Sequence, residues 1–327
     1  VRKKNASQLE DMDLLYSDSK VLASGHNTGV DWDASKQAAW SKSMPIYEVP
    51  IMRSNSDLQS FIPTLNELCD PELLIQSLDN VKLFVSEYQN WLSSQRMMFE
   101  SQAQLKGFVD IFDHHAGNVQ ASLDRIRNGA AFLLKNQVAR EAFRNANQSI
   151  RFSQRDSTLS DTYRISEFEW RPFQFAFQLL NVEGLLDISH SDRDILDLAW
   201  FPTGGGKTEA YLGLIGTVSF YRRLNPVTRE RESLNPSISA IMRYTLRLLT
   251  ADQAGRLIRL CGAMNHVWSK NKANDAVFSN FSVGMWIGKS ASPNAFYTHP
   301  EYQTSTSVSV QEVFDRHVRD EELPESS

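Results

Sequence analysis

The chain has 327 residues, of which 41% are hydrophobic and 22% are charged, and its formal net charge is −5 at pH 7. This composition is typical of a globular protein, rather than a disordered one, with enough apolar residues for more than one core. The small acidic excess gives no sign of a uniformly basic nucleic-acid-binding protein, although a local basic surface is compatible with it.

Two cysteines, Cys69 and Cys261, are far apart in sequence, which favours reduced, packed thiols in a cytoplasmic protein over a disulfide or a zinc site. Nothing near the start resembles a signal peptide, and the apolar run at residues 210–221 is too short to cross a bilayer. We therefore expect a soluble cytoplasmic protein without membrane association. Because the chain begins with Val1 and ends on a polar stretch, we also expect it to be part of a longer protein.

The first half of the chain is predicted to contain an irregular segment and then a helical region. Residues 1–65 lack a regular pattern, whereas apolar residues after Pro71 recur at steps of three and four, as on one face of a helix. Asp70 is expected to cap that helix, with Pro71 at its first position. Further helices are predicted at residues 118–134 and 138–150. Residues 66–155 are thus predicted to form a helical accessory region, followed by a linker at 153–162.

From residue 164 onward, short apolar runs alternate with helical patterns. Strands are predicted at residues 195–200, 238–242 and 281–287, and helices at 207–224 and 250–265. Strands that alternate with helices are typical of a parallel sheet covered on both faces. The predicted fold class of residues 164–327 is therefore α/β with a parallel sheet.

A glycine-rich segment, Phe201-Pro-Thr-Gly-Gly-Gly-Lys-Thr208, joins the first predicted strand to the next helix. Glycines let backbone N–H groups face an anion, and a helix start adds unpaired N–H groups. Lys207 would neutralise the β and γ phosphates of a nucleotide, and the Thr208 hydroxyl is a ligand for Mg²⁺. The alternative is a glycine turn with a surface lysine. We predict a site for ATP and Mg²⁺ in which Lys207 and Thr208 are catalytic and which comprises Thr203, Gly204, Gly205, Gly206, Lys207 and Thr208.

The loop differs from the general Gly-x-x-x-x-Gly-Lys-Thr pattern because Phe201 occupies its first position. From Thr203 onward it resembles the variant used by superfamily 2 helicases. Upstream, Trp170-Arg-Pro-Phe-Gln174 resembles the aromatic-x-x-Gln element that precedes the loop in many such helicases. This resemblance implies that Gln174 hydrogen-bonds the adenine edge. The alternative is a capped helix start, with Pro172 in the first turn.

Longer stretches of the chain resemble the large helicase subunit of the DISARM anti-phage defence system. The most specific are Trp200-Phe-Pro-Thr-Gly-Gly-Gly-Lys-Thr-Glu-Ala-Tyr-Leu-Gly-Leu214 and Met242-Arg-Tyr-Thr-Leu-Arg-Leu-Leu-Thr250, and the likeness extends to residues 125–129, 142–147 and 170–174. The resemblance implies an ATP-driven motor with two P-loop RecA-like lobes, DNA as its ligand and a protein partner in a defence complex. The chain would then hold a partial first lobe, truncated before the acidic Walker B motif.

The same resemblance implies that Arg243, Thr245, Arg247 and Gln253 contact the nucleic-acid backbone. Guanidinium groups and a hydroxyl at the carboxyl end of a strand are well suited to phosphate. The alternative is a set of ordinary surface arginines at the start of a helix.

Hydrolysis in this class needs an acidic pair at the end of an apolar strand. Neither Asp320-Glu321 nor Glu312 and Asp315 follows such a strand. We therefore expect this chain to bind nucleotide weakly and to hydrolyse little of it, although the full-length protein would be an ATP hydrolase. Two functions remain open, namely the N-terminal part of a DNA helicase or translocase and a P-loop nucleotide-binding switch or scaffold without translocation.

Overall fold

The computed structural model describes residues 28–33, 35–42, 56–103, 105–154, 168–199, 205–228, 237–243, 247–271 and 280–285, with residues 11, 14, 23, 25, 26 and 230 in isolation. Residues 1–280 form one compact unit, and residues 281–327 form a second. In the second unit, residues 281–285 adopt neither helix nor strand. The fold of the first unit positions the candidate site.

Helices dominate the first unit. Their bounds are α1 Ser56–Gln59, α2 Leu65–Cys69, α3 Pro71–Ser101, α4 Val109–Lys135, α5 Gln137–Ser153, α6 Pro172–Leu186, α7 Lys207–Leu224 and α8 Arg247–Asn271. Short 3₁₀ helices lie at Lys106–Phe108 and Ser191–Asp194. The helices predicted after Pro71, at residues 118–134, at 138–150 and at 207–224 are confirmed, and the last has the predicted bounds.

Helix starts follow local capping chemistry. The Asp70 carboxylate accepts hydrogen bonds from the backbone N–H groups of Glu72 and Leu73, each at 2.9 Å, with Pro71 in the first turn as predicted. The side chain of Asn136 accepts from the N–H of Ala139 at 3.0 Å and so caps α5 directly after α4 ends. These side chains satisfy N–H groups that a helix start leaves without intrahelical partners.

Helix α5 lies at the centre of the unit and contacts α2, α4, α7 and α8. Its buried apolar residues include Phe143 and Ile150, which have no exposed surface. Helix α4 contributes a stripe at steps of three and four, with Leu123, Ile126 and Leu133 buried. Helix α6 packs between α4 and α7. The ends of α6 and α7 that carry the candidate site are therefore held by a helical core.

Two crossings bring backbones unusually close because glycine is present. A Cβ on Gly129 of α4 would lie 1.9 Å from the carbonyl oxygen of Leu179 in α6. A Cβ on Gly216 of α7 would lie 3.1 Å from the Cβ of Ala146 in α5. Only small residues allow helices to approach at these points. These contacts fix the positions of α6 and α7 within the core.

The predicted parallel RecA-like sheet is wrong for the part of the chain that the structure describes. The sheet found there is a two-stranded antiparallel hairpin of β1 Gly29–Asp33 and β2 Ala38–Lys42, in which Asp31 pairs with Trp40. It lies in the segment predicted to be irregular. The described parts of the predicted strands, residues 195–199, 238–242 and 281–285, belong to no helix and to no paired strand. An apolar run can be extended without specifying a neighbour, and pairing is what defines a strand.

Candidate phosphate-binding site

The glycine segment ends in a backbone conformation suited to the start of a helix. Gly206 has φ 83° and ψ 27°, in the left-handed region where a Cβ is unfavourable, and α7 begins at Lys207. Gly206 occupies the N-cap position and, as a glycine, has no side chain that could accept a hydrogen bond from the first N–H groups of the helix. An 18-residue helix with an uncapped start offers N–H groups and the positive end of its dipole to an anion. Lys207 and Thr208, both half-buried, occupy its first turn.

The carbonyl groups of the two described glycines are turned toward α6. The Arg171 guanidinium donates to the Gly205 carbonyl at 3.0 Å, and the Gln174 amide nitrogen donates to the Gly206 carbonyl at 2.7 Å. In a trans peptide the C=O and N–H groups point in opposite directions. The N–H groups of Gly206 and Lys207 are therefore directed away from these two side chains. This orientation presents donors rather than acceptors to a ligand at the start of α7.

Gln174 is nearly fully buried, with 2% of its surface exposed. Its amide oxygen accepts from the Arg171 backbone N–H at 2.8 Å while its amide nitrogen holds Gly206. The carboxamide thus joins the start of α6 to the loop. The role of Gln174 at an adenine edge stays a prediction. Its contact with the loop, and that of Arg171, was missed by the sequence analysis, although a glutamine at the third helical position is a recognised capping signal.

Trp170 anchors the segment that carries these two side chains. It has no exposed surface, and its indole N–H donates to the Asn147 side-chain oxygen of α5 at 2.8 Å. The Asn147 amide in turn donates to the Phe143 carbonyl at 2.9 Å. Gln59 donates to the Trp170 carbonyl at 3.0 Å. Because buried polar groups are strongly disfavoured unless paired, this network gives the start of α6 one defined position.

Arg125 of α4 fixes the chain that leads toward the loop. Its guanidinium makes a bidentate contact with Asp197 at 2.7 and 2.8 Å and a further hydrogen bond with Asp192 at 2.7 Å. The hydrogen bonds with Asp197, together with the charges of both carboxylates, raise the pKa of Arg125. The three side chains are about four-fifths buried. Bidentate arginine–carboxylate contacts fix geometry as well as charge, so Asp197 is held at a defined position beside α4.

The predicted nucleic-acid residues are only partly described. Arg243 is exposed, whereas Gln253 in α8 is buried and donates to Asp252 at 3.3 Å. Thr245 and the side chain of Arg247 lie outside the described residues, as do Thr203 and Gly204 of the loop. The structure thus brings Gln174 together with Gly205 and Gly206, and leaves the role of Arg243 as a prediction. The acidic residues considered as a hydrolytic pair, at positions 312–321, also lie outside the described parts of the chain.

Cys69 and Cys261 carry free thiols. Burial raises the pKa of Cys69 to about 11 and also raises the pKa of Cys261. Both groups are therefore neutral near pH 7, which disfavours a nucleophilic role for either of them.

Among the described helices, none combines the length and the apolar character needed to cross a membrane. The predicted location in the cytoplasm stays a prediction.

Comparison with known proteins shows what this chain is similar to. No protein-family model matches the chain. The chain is 33% identical to the DISARM protein DrmA of Bacillus paralicheniformis over an alignment of 304 residues, which covers 86% of this chain. The same alignment covers 26% of the relative, so the chain spans about a quarter of its length. The resemblance to a DISARM subunit that the sequence motifs indicated is confirmed: the chain is similar, over most of its length, to one part of the DISARM protein DrmA.

Proposed function

We propose that this chain is the ATP-binding part of a DNA helicase or translocase that acts in anti-phage defence. The proposal is carried by the geometry before α7. Arg171 and Gln174 hold the carbonyls of Gly205 and Gly206, so that these carbonyls point away from the side where phosphate would bind. The similarity to the DISARM protein DrmA supports the defence role and a protein partner.

The residues at the start of α7 fit a nucleotide's terminal phosphates. The N–H groups of Gly206 and Lys207 would donate to phosphate oxygens, and the Lys207 ammonium would neutralise their charge. The Thr208 hydroxyl would be a ligand for Mg²⁺, which would supply positive charge to the phosphates. Thr203 and Gly204 complete the loop in sequence. In this proposal Arg243, Thr245, Arg247 and Gln253 contact the DNA backbone.

Binding of Mg²⁺–ATP to the chain tests the proposal. Lys207→Ala removes the ammonium that meets the phosphates, and we expect ATP affinity to fall about 10-fold or more, since hydrogen bonds with charged groups contribute about 1.5–3 kcal/mol. Isothermal titration calorimetry measures the affinity. Lys82→Ala is a matched control, because Lys82 is an exposed lysine of α3 that forms an ion pair with Asp79, also on α3. Absence of ATP binding by the wild-type chain, or equal affinity of Lys207→Ala, would contradict the proposal.

Gln174→Leu separates the two roles considered for Gln174. If the carboxamide acts by holding Gly206, its loss lowers the affinities for ATP and GTP by the same factor, since both share the triphosphate. If it also reads adenine, the preference for ATP over GTP is lost, because only adenine presents the donor and acceptor pair that a glutamine matches. Competition of both nucleotides against a fluorescent ATP analogue measures the ratio. Thermal unfolding of the variant identifies a loss of fold.

A nucleotide-regulated scaffold without translocation is the second candidate. It is favoured by the position of α5, which contacts both α7 and α8 and so joins the phosphate site to a large helical surface. The full-length protein distinguishes the two functions. ATP hydrolysis that rises on addition of DNA, and that Lys207→Ala abolishes, supports the motor. Nucleotide binding without DNA-stimulated hydrolysis supports the scaffold.

A further inference from the structure

An ion pair connects the helix that starts at the phosphate site with α8. Glu209, in the first turn of α7, accepts a hydrogen bond from the Arg256 guanidinium of α8. The Glu209 side chain is 13% exposed and that of Arg256 is 35% exposed. A partly buried pair is screened less by salt than a surface pair. The ion pair is therefore able to fix the position of α8 relative to the start of α7.

The connection continues along α8 toward a predicted DNA contact. The Arg256 guanidinium also donates to Asp252 at 3.1 Å, and Asp252 accepts from the Gln253 amide at 3.3 Å. An unbroken series of hydrogen bonds thus runs from Glu209 through Arg256 and Asp252 to Gln253. Gln253 belongs to the residues proposed to contact the DNA backbone.

The other end of this series faces the glycine loop. The second oxygen of the Glu209 carboxylate is buried without a hydrogen-bond partner in the structure. It lies 3.4 Å from the point that a Cβ on Gly206 would occupy. A carboxylate oxygen in this position is sensitive to charge at the start of α7, because electrostatic interactions are strong where water is excluded.

We infer that Glu209 and Arg256 couple phosphate binding at the start of α7 to DNA binding by α8. The inference rests on the proposed function. Phosphate and the Glu209 carboxylate would repel each other, and the Arg256 guanidinium is attracted to both. Bound phosphate therefore favours the arrangement in which Arg256 remains beside Glu209, and this arrangement positions Asp252 and Gln253. Because coupling between two sites is reciprocal, DNA raises nucleotide affinity by the same factor. Glu209 and Arg256 are positioning residues in this account.

Single-stranded DNA affinity, measured by fluorescence anisotropy with and without a saturating non-hydrolysable ATP analogue, tests the coupling. In the wild-type chain we expect the analogue to raise DNA affinity about fivefold or more, the lower end of typical coupling. Glu209→Gln and Arg256→Gln should each abolish this difference while DNA binding without the analogue persists. The double variant should resemble each single variant, because both remove one interaction. Thermal unfolding shows whether each variant is folded.

Arg96→Gln is the matched control, since Arg96 is an exposed arginine that pairs with Asp113 between α3 and α4. This variant should retain the wild-type ratio of DNA affinities measured with and without the ATP analogue. Variants of Glu209 and Arg256 that retain the ratio would overturn the inference, and so would a wild-type chain that binds both ligands independently. If Arg256 only contacts DNA directly, its variant weakens DNA binding equally with and without analogue, which also overturns the inference. A wild-type chain that binds no analogue contradicts the proposed function itself.

Discussion

In the helical core, Leu133 and Leu179 have no exposed surface, whereas Leu196 and Leu198 in the segment before the glycine loop expose 94% and 82% of theirs. The same contrast holds for residues 237–243, where Ile241 is 83% exposed. A helix satisfies its own backbone hydrogen bonds and needs only one apolar face to be covered. An extended segment needs a neighbour for its backbone as well as for its side chains. Position within the core, rather than apolar character, therefore determines which of these residues stabilise the described fold.

Gly129→Ala should lower the stability of the protein more than any other substitution considered outside the candidate site, because it changes the α4–α6 crossing in the core. The new Cβ would overlap the Leu179 carbonyl oxygen, 1.9 Å away, and the helices would have to separate. We expect the free energy of unfolding to fall by about 3 kcal/mol, at the upper end for overpacking. Urea unfolding measures the change.

Gly117→Ala, on the same helix, is the control for this substitution. A Cβ there would meet no atom within 4 Å, so the better helix former should stabilise the chain by about 0.5–1 kcal/mol. Equal effects of the two substitutions would show that the α4–α6 crossing is looser than described.

Arg125→Gln should have a smaller effect, because Arg125 joins the core to the segment before the loop. The change removes the bidentate contact with Asp197 and leaves two largely buried carboxylates without their cation. We expect a loss of about 2 kcal/mol, between the ranges for exposed and buried pairs. Chemical denaturation measures it. Arg127→Gln, which breaks an exposed pair with Asp124, should change stability by about 0.5 kcal/mol or less. A similar loss in both variants would contradict the anchoring role.

Leu198→Ala should have the smallest effect. Its side chain is mostly exposed, so we expect the free energy of unfolding to change by about 0.5 kcal/mol or less. Leu133→Ala removes the same atoms from the core and should cost about 3 kcal/mol. Differential scanning calorimetry compares the two variants. A large loss for Leu198→Ala would mean that the segment is packed in solution and would remove the contrast between the two regions.

The sequence predicted helices far better than strands because helical signals are local. Helix α7 was predicted at residues 207–224 and has those bounds, since glycine precedes it and Asn225 ends it. Helix α8 was predicted at 250–265 and runs from Arg247 to Asn271. Beyond the predicted end, Trp268 contacts Phe220 of α7 and Lys270 contacts Phe152 of α5. The strand predictions failed because an apolar run carries no information about which segment pairs with it.

The residues of the candidate site differ in the same way. The prediction for Lys207 and Thr208 rests on a loop motif that is contiguous in sequence, and their role stays a prediction. The contact of Arg171 with Gly205 joins residues that are 34 positions apart, and that of Arg125 with Asp197 joins residues 72 positions apart. Such long-range pairs leave no periodic or spacing signal in a single sequence. These contacts depend on the three-dimensional packing of α4, α6 and α7.

The hold of Arg171 and Gln174 on the glycine carbonyls has a consequence for affinity. A flexible loop loses conformational entropy when a ligand orders it, at about 1–2 kcal/mol for each backbone residue fixed. Two peptide groups of this loop are already fixed in the folded protein by the side chains of Arg171 and Gln174. If the loop binds phosphate as proposed, such preorganisation would let weak individual donors bind the anion with little further ordering, and α6 would help to determine how tightly the anion is held.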